Sequence, residues 1–291
     1  MPSEAYFLEH VGETYGYFFK TQDLLYSAKS KYQQIAVFDS PDLGRVFMLD
    51  HYINFTTTME AFYHEPMAHI PLGMVDKPKN ILIIGGGDFG VAGQVLKHDT
   101  VETLDLCEID EEIPKVCCRF FPEITQKAEN DKRFKLHILD GMVFLREAAP
   151  ESLDAIIVDS TDPFDTSAAF PLISEEFYQL VHRVLRKKGV LMQLMADYMF
   201  FNKTWHEVLP RVKKHFSIDN PISITIPLYV TGTWGFLLAG KDRTELGTER
   251  ITQEYLDRLG NIQTMTPELV KGWFSIPQYV RKAITPPCEK A

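Results

Sequence analysis

The chain has 291 residues, 45% hydrophobic and 24% charged, a mixture that excludes general disorder and leaves enough apolar surface for a sizeable core. Forty acidic against thirty basic residues give a formal charge of −10, which argues against nucleic acid or an anionic membrane surface as partner and favours cationic ligands. The longest aliphatic runs, 81–84 and 155–158, fall far short of the roughly 18 residues of a membrane span, and MPSEAYFLEH carries no cationic-then-apolar leader pattern.

Residues 1 to about 60 read as strands, because short β-branched and aromatic runs alternate with turn residues. Ile35-Ala36-Val37-Phe38 and Val46-Phe47-Met48-Leu49 flank Ser40-Pro41-Asp42-Leu43-Gly44, which predicts a hairpin. From about residue 80 the pattern changes: strands at 80–84, 103–108, 134–139, 154–158 and 189–194 alternate with helices near 89–98, 111–121, 141–149 and 174–187. Such alternation indicates an α/β fold with a mostly parallel sheet covered on both faces. Segment 222–239 predicts two antiparallel edge strands joined by a tight turn, and 266–284 a helical tail. The division expected is a β-strand domain over 1–60 and an α/β domain over 61–291. Cysteines 107, 117, 118 and 288 have neither a CxxC pair nor zinc-like spacing, so core thiols in a reducing cytoplasm are expected.

The strongest local signal is Asn80-Ile81-Leu82-Ile83-Ile84 followed by Gly85-Gly86-Gly87-Asp88-Phe89-Gly90, where Gly85, Gly87 and Gly90 satisfy GxGxxG. Glycines there permit a tight strand-to-helix turn and the close approach of a ligand. Glu108, at the end of the next strand, is placed to accept from ribose hydroxyls. Asp88 argues against a dinucleotide, since a carboxylate about 4 Å from pyrophosphate is repelled by roughly 4 kcal/mol at an effective dielectric of 20. A cationic nucleoside without phosphate fits better, and S-adenosylmethionine and its decarboxylated form are of that kind. Asp140-Gly141 ends the third strand, where Asp can accept from an adenine amino group and Gly leaves room for the ring. Asp159 and Asp162 follow the fourth strand. Five carboxylates at the carboxyl ends of a parallel sheet surround the crevice where such folds bind ligands. They call for cations; a divalent metal is the lesser alternative to a cationic substrate.

These motifs, together with Ser30-Lys31-Tyr32-Gln33, Leu49-Asp50, Phe62-Tyr63-His64-Glu65, Cys107-Glu108-Ile109-Asp110, Ile226-Pro227-Leu228-Tyr229 and Ile276-Pro277-Gln278-Tyr279, resemble the spermidine synthase family of polyamine aminopropyltransferases nearly end to end. The resemblance implies a methyltransferase-like Rossmann domain behind a small N-terminal β domain, assembly as a homodimer or homotetramer, and no metal or prosthetic group. It implies transfer of an aminopropyl group from decarboxylated S-adenosylmethionine, as co-substrate, to a diamine such as putrescine. It assigns Gln33, Gly85, Gly87, Asp88, Glu108, Asp140 and Gly141 to the nucleoside donor, with Asp88 on its ammonium. Asp159 becomes the catalytic base, and Tyr63, His64, Asp162 and Tyr229 line the acceptor channel.

The chain departs from the family pattern at Phe89, where glycine is usual, in the loop 164–171, at Gln193, which stands one residue early, and at Glu60, flanked by Met59 and Ala61. These departures keep alternatives open: transfer of a methyl or carboxyaminopropyl group from intact S-adenosylmethionine, or a non-catalytic polyamine-binding paralogue. An alkylammonium near pKa 10.4 and a free Asp near 3.9 leave a proton transfer uphill by about 9 kcal/mol, so Asp159 needs burial or charged neighbours to serve as a base.

Overall fold

The computed structural model describes residues 5–10, 14–163, 167–245 and 247–285. Strands β1 (Ala5–His10) and β2 (Gly16–Thr21) form an antiparallel hairpin, and β3 (Asp23–Lys29), β4 (Gln34–Ser40), β5 (Gly44–Leu49) and β6 (Tyr52–Thr56) form an antiparallel meander. The expected hairpin is β4–β5, closed by Ser40 opposite Gly44. Gly44 is at φ +69°, and a Cβ there would stand 2.4 Å from Thr57 Oγ1, so its lack of a side chain is required. The next turn is tighter: Asp50 and His51 both take positive φ between paired Leu49 and Tyr52, as a two-residue hairpin turn demands.

Helix α1 (Ala61–Met74) then leads into an α/β domain. In chain order follow β7 (Asn80–Gly85), α2 (Gly90–Val95), β8 (Thr103–Glu108), α3 (Glu112–Phe120), α4 (Pro122–Glu129), β9 (Phe134–Ile138), α5 (Gly141–Glu147) and β10 (Leu153–Asp159). The chain continues through α6 (Glu175–Val184), β11 (Leu185–Leu194), α7 (Asn202–Lys213), β12 (Ile218–Thr225), β13 (Thr233–Gly240), α8 (Gln253–Arg258), α9 (Pro267–Trp273) and α10 (Gln278–Ile284). The sheet order is β12-β13-β11-β10-β7-β8-β9, parallel from β11 to β9 and antiparallel at β13 and β12. The order reverses between β7 and β10, and there ligands bind in doubly wound sheets. Along β7, Ile81 and Ile83 pack with α1 and α2, whereas Leu82 and Ile84 pack with α5, α6 and α7. Period-two alternation thus builds a core on each face.

Four local readings need correction. The helix expected over 174–187 ends at Val184, and 185–188 belong to β11, which is longer than the 189–194 run. Helix α2 spans only Gly90–Val95: Phe89 precedes it in the left-handed region, and Leu96 and Lys97 already form a turn. The edge strands β12 and β13 are joined by residues 226–232 rather than by a tight turn, and this connection carries Tyr229. The tail is two helices, since Pro277 interrupts the ladder and caps α10. Residues 164–166 of the divergent loop, and Cys288, lie outside the described residues.

Candidate active site

A cleft of about 240 Å³ opens at the carboxyl ends of β7 and β10, and all twelve residues singled out from the sequence line it. Parallel pairing sets Gly85 beside Asp159. A Cβ on Gly85 would lie 2.1 Å from the Asp159 carbonyl oxygen, and one on Gly86 would lie 2.6 Å from Asp159 Oδ2. Glycine is therefore what lets the loop close against the base of the cleft. Glu108 accepts from Gly87 N at 3.2 Å and from Asp110 N at 2.9 Å, and burial pushes its carboxyl up to about 7. Asp110 in turn holds the turn at 30–33, accepting from Ser30 Oγ at 2.6 Å and from the Gln33 amide at 3.1 Å. Asp140 stays exposed and caps α5 through Met142 N at 2.8 Å, while Gly141 lies where a Cβ would strike Ile84 at 2.5 Å.

At the centre of the cleft the Tyr63 hydroxyl donates to Asp159 Oδ1. Asp159 Oδ2 is buried and has no hydrogen-bond partner among the described residues. Burial first, and then the charge of Asp88, hold the Asp159 carboxyl well above its usual range, against the pull of Tyr63 and His64. Asp88 accepts from Gly90 N at 2.7 Å and lies 3.5 Å from His64 Nε2. The other ring nitrogen of His64 is 2.6 Å from Glu60 Oε2. Burial opposes a charge on this ring, yet the Glu60 hydrogen bond and the neighbouring carboxylates outweigh it and lift His64 to about 9.

Towards the N-terminal sheets, Asp162 accepts from Trp234 Nε1 at 3.3 Å, and burial drives it up to about 8. Tyr229 donates to the Asn54 carbonyl at 3.2 Å and lies edge-on to Trp234.

The sequence reading missed Glu9 and Trp234. Glu9 reaches in from β1, accepts from Ile53 N at 3.0 Å and is pushed to about 7 by burial. A lone Glu in an exposed-looking hairpin carries no local signal; only the tertiary fold brings it to the cleft. Glu60, noted only as a departure, proves to be the hydrogen-bond partner of His64. Gln193 is off the site: its amide is used by Tyr178 at 3.0 Å and by the Leu172 carbonyl at 2.9 Å, and Leu194 lines the cleft instead. Among the described residues no group of His, Cys, Asp and Glu is arranged to hold a metal ion, and no helix is long and apolar enough to cross a membrane.

A cleft walled by glycine turns at one end and by carboxylates and aromatic rings at the other suits a flat nucleoside joined to a cationic chain. The spermine/spermidine synthase domain matches residues 60–248, and the spermidine synthase tetramerisation domain matches residues 6–57. A polyamine aminopropyltransferase of Caldicellulosiruptor saccharolyticus is 34% identical over 283 residues, covering 97% of this chain and 98% of that one. Spermidine synthase 2 of Datura stramonium is 32% identical over 271 residues, covering 91% and 84%. A crystal structure of spermidine synthase in complex with the transition state analogue AdoDATO superposes with a TM-score of 0.89 at 30% identity, covering 96% of this chain and 94% of that one.

Proposed function

The chain belongs to the spermine/spermidine synthase family, and from that premise we propose that it transfers the aminopropyl group of decarboxylated S-adenosylmethionine to a diamine such as putrescine, releasing methylthioadenosine. The observation that carries this reading is the buried, unpartnered Oδ2 of Asp159, aimed into a cleft with further carboxylates on either side. A buried carboxylate oxygen without a donor is costly unless a ligand supplies one. A cationic amine does so.

In this reading Glu108 takes the ribose, Gln33, Asp140 and Gly141 frame the base, and Gly85 and Gly87 allow the nucleoside to lie on the loop. Asp88 binds the aminopropyl ammonium. The acceptor lies along Tyr63, His64, Asp162 and Tyr229, with Glu9 at its far end. Its amine attacks the methylene attached to sulfur, the carbon–sulfur pair returns to sulfur as a neutral thioether, and the amine proton passes to Asp159. No acid is needed for the leaving group. Each unit by which burial lifts Asp159 removes about 1.4 kcal/mol from the uphill proton transfer. Alignment of the two reactants supplies much of the remaining acceleration.

The division at 60/61 is supported by the end of β6 at Thr56 and the start of α1 at Ala61. Exposed Leu8 and Phe18 on the β1–β2 hairpin, within the segment matched by the tetramerisation domain, support self-association as a homodimer or homotetramer. Free thiols at Cys107, Cys117 and Cys118 support a reducing, cytoplasmic setting.

The test is incubation with decarboxylated and intact S-adenosylmethionine and a panel of diamines, with products identified by mass. Methylthioadenosine with an aminopropylated amine is the expected outcome. Adenosylhomocysteine, a carboxylated amine, or no product overturns the proposal.

A further inference from the structure

We infer that the ammonium of the donor displaces a proton from His64, so that donor binding and deprotonation of this ring form one coupled event. The inference rests on the donor assignment proposed above and concerns how the same site handles its charge.

His64 is wholly buried and stands between two carboxylates from different elements. Nδ1 is 2.6 Å from Glu60 Oε2 at the start of α1, and Nε2 is 3.5 Å from Asp88 Oδ1 on the loop after β7, with no hydrogen-bond partner among the described residues. Every element packed on the ring can be named. Asp159 adds a third negative charge from the end of β10, and Tyr63 and Phe55 place neutral rings 5.4 Å and 5.7 Å away. Gly90 of α2 lets the ring in, since a Cβ there would lie 2.1 Å from Cε1. Lys97 and Lys127 act on Glu60 from the α2–β8 connection and from α4. Two half-buried carboxylates on either side of a buried ring favour a cation between them. Before the donor binds, His64 is placed to be that cation for Asp88, consistent with the lift of the ring to about 9.

A donor carrying its own ammonium to Asp88 removes that requirement, and two positive charges side by side in a buried site repel. The proton then leaves the imidazolium for solvent. The neutral tautomer keeps Nδ1–H on Glu60 and presents the Nε2 lone pair, which accepts from the same ammonium that Asp88 holds. The donor brings two positive charges, its ammonium and its sulfonium, and one proton leaves, so the net charge of the site rises by one rather than by two.

The experiment is titration calorimetry of the full-length protein with decarboxylated S-adenosylmethionine at about pH 8, in buffers of different ionisation enthalpy, which counts protons exchanged on binding. Close to one proton released per site is expected. Methylthioadenosine, which lacks both the ammonium and the sulfonium charge, is expected to bind without releasing it, and this control needs no variant. His64→Gln is expected to bind the donor without the release, because an amide oxygen replaces the lone pair. Glu60→Gln lowers the proton affinity of the ring and is expected to reduce the release. Proton-free donor binding by the unaltered protein, or the same release with methylthioadenosine or His64→Gln, overturns the inference while leaving the donor assignment in place. No heat with the donor in any buffer overturns the assignment itself, and the inference with it.

Discussion

The hydroxyl of Tyr63 donates to Oδ1 of Asp159 and leaves Oδ2 buried without a partner. One oxygen is therefore fixed by the protein, and the other is left for the reacting amine. Asp159→Asn keeps the shape and removes the base, so kcat is expected to fall about 100-fold or more while donor affinity changes little. Tyr63→Phe removes a hydrogen bond that favours the ionised form, so it is expected to lower kcat and to move the acid limb of the pH profile upward. Stopped assays of kcat with calorimetric donor affinity separate the two effects. An Asn variant with near-normal kcat contradicts the role of Asp159.

The pH dependence of turnover follows from the same burial. Asp159 must be ionised to accept the proton, and its carboxyl is held high by burial and Asp88, so the active fraction rises with pH through that raised value. The attacking amine also becomes nucleophilic only on losing a proton, near 10.4 for an alkylammonium in water. Both terms act in one direction. Turnover under saturating substrate is expected to be maximal on the alkaline side, and a rate unchanged between about pH 7 and 9.5 with chemistry limiting contradicts this mechanism.

Stability of the ligand-free protein runs the opposite way. Glu108 goes from 4.5 to about 7 on folding, chiefly through burial. A raised carboxyl binds its proton more tightly in the folded state, so its stabilising effect is present below 4.5 and is lost as pH rises through about 7. The loss is on the order of 3 kcal/mol for this group. Glu108→Gln carries no charge into the site and is expected to raise the melting temperature at about pH 8 relative to the parent, with little difference near pH 4, while weakening nucleoside binding. Differential scanning at the two pH values measures this. A Gln variant less stable than the parent at the higher pH contradicts it.

The elements read correctly from the sequence are those whose burial is periodic. Strand β7 is an unbroken apolar run bounded by Asn80 and the glycines, and a strand buried on both faces has that composition. Helix α1 left no such trace. Pro66 and Pro71 lie inside it, and all its residues but Phe62 are buried, so it has no polar face to reveal a helical period. Glu108 and Asp140 were legible because they stand at or just past the ends of strands already located, and Asp88 because it stands in the glycine turn after β7, whereas Gln33 was reached only through the family resemblance. Glu9 and Trp234 were not legible, because they reach the cleft from a hairpin and an edge strand whose positions are set by long-range packing. His64 lines the cleft, but its electrostatic setting depends on Glu60 one helical turn earlier, and an i, i+4 pair is seen only when the helix is.

Phe89, like Glu60, is a departure for which the structure supplies a physical role. It occupies φ +63°, a conformation that costs an ordinary residue about 1–2 kcal/mol, yet its ring is 2% exposed and lies edge-to-face on Phe134 of β9 at 5.0 Å. Phe89→Gly relieves the backbone and empties the ring's space, and loss of a buried Phe side chain costs about 3–5 kcal/mol. The core term is the larger, so Phe89→Gly is expected to destabilise this protein by about 1–4 kcal/mol, read as a lower urea midpoint. Because Asp88 and Gly90 on either side are joined by a 2.7 Å hydrogen bond, freeing Phe89 also loosens the carboxylate that holds the donor, and weaker donor binding is expected alongside. Phe89→Leu keeps an apolar side chain in the same space and is expected to fall between the two. An unchanged midpoint in Phe89→Gly shows instead that strain and packing cancel at this position, and that the ring does not anchor the loop.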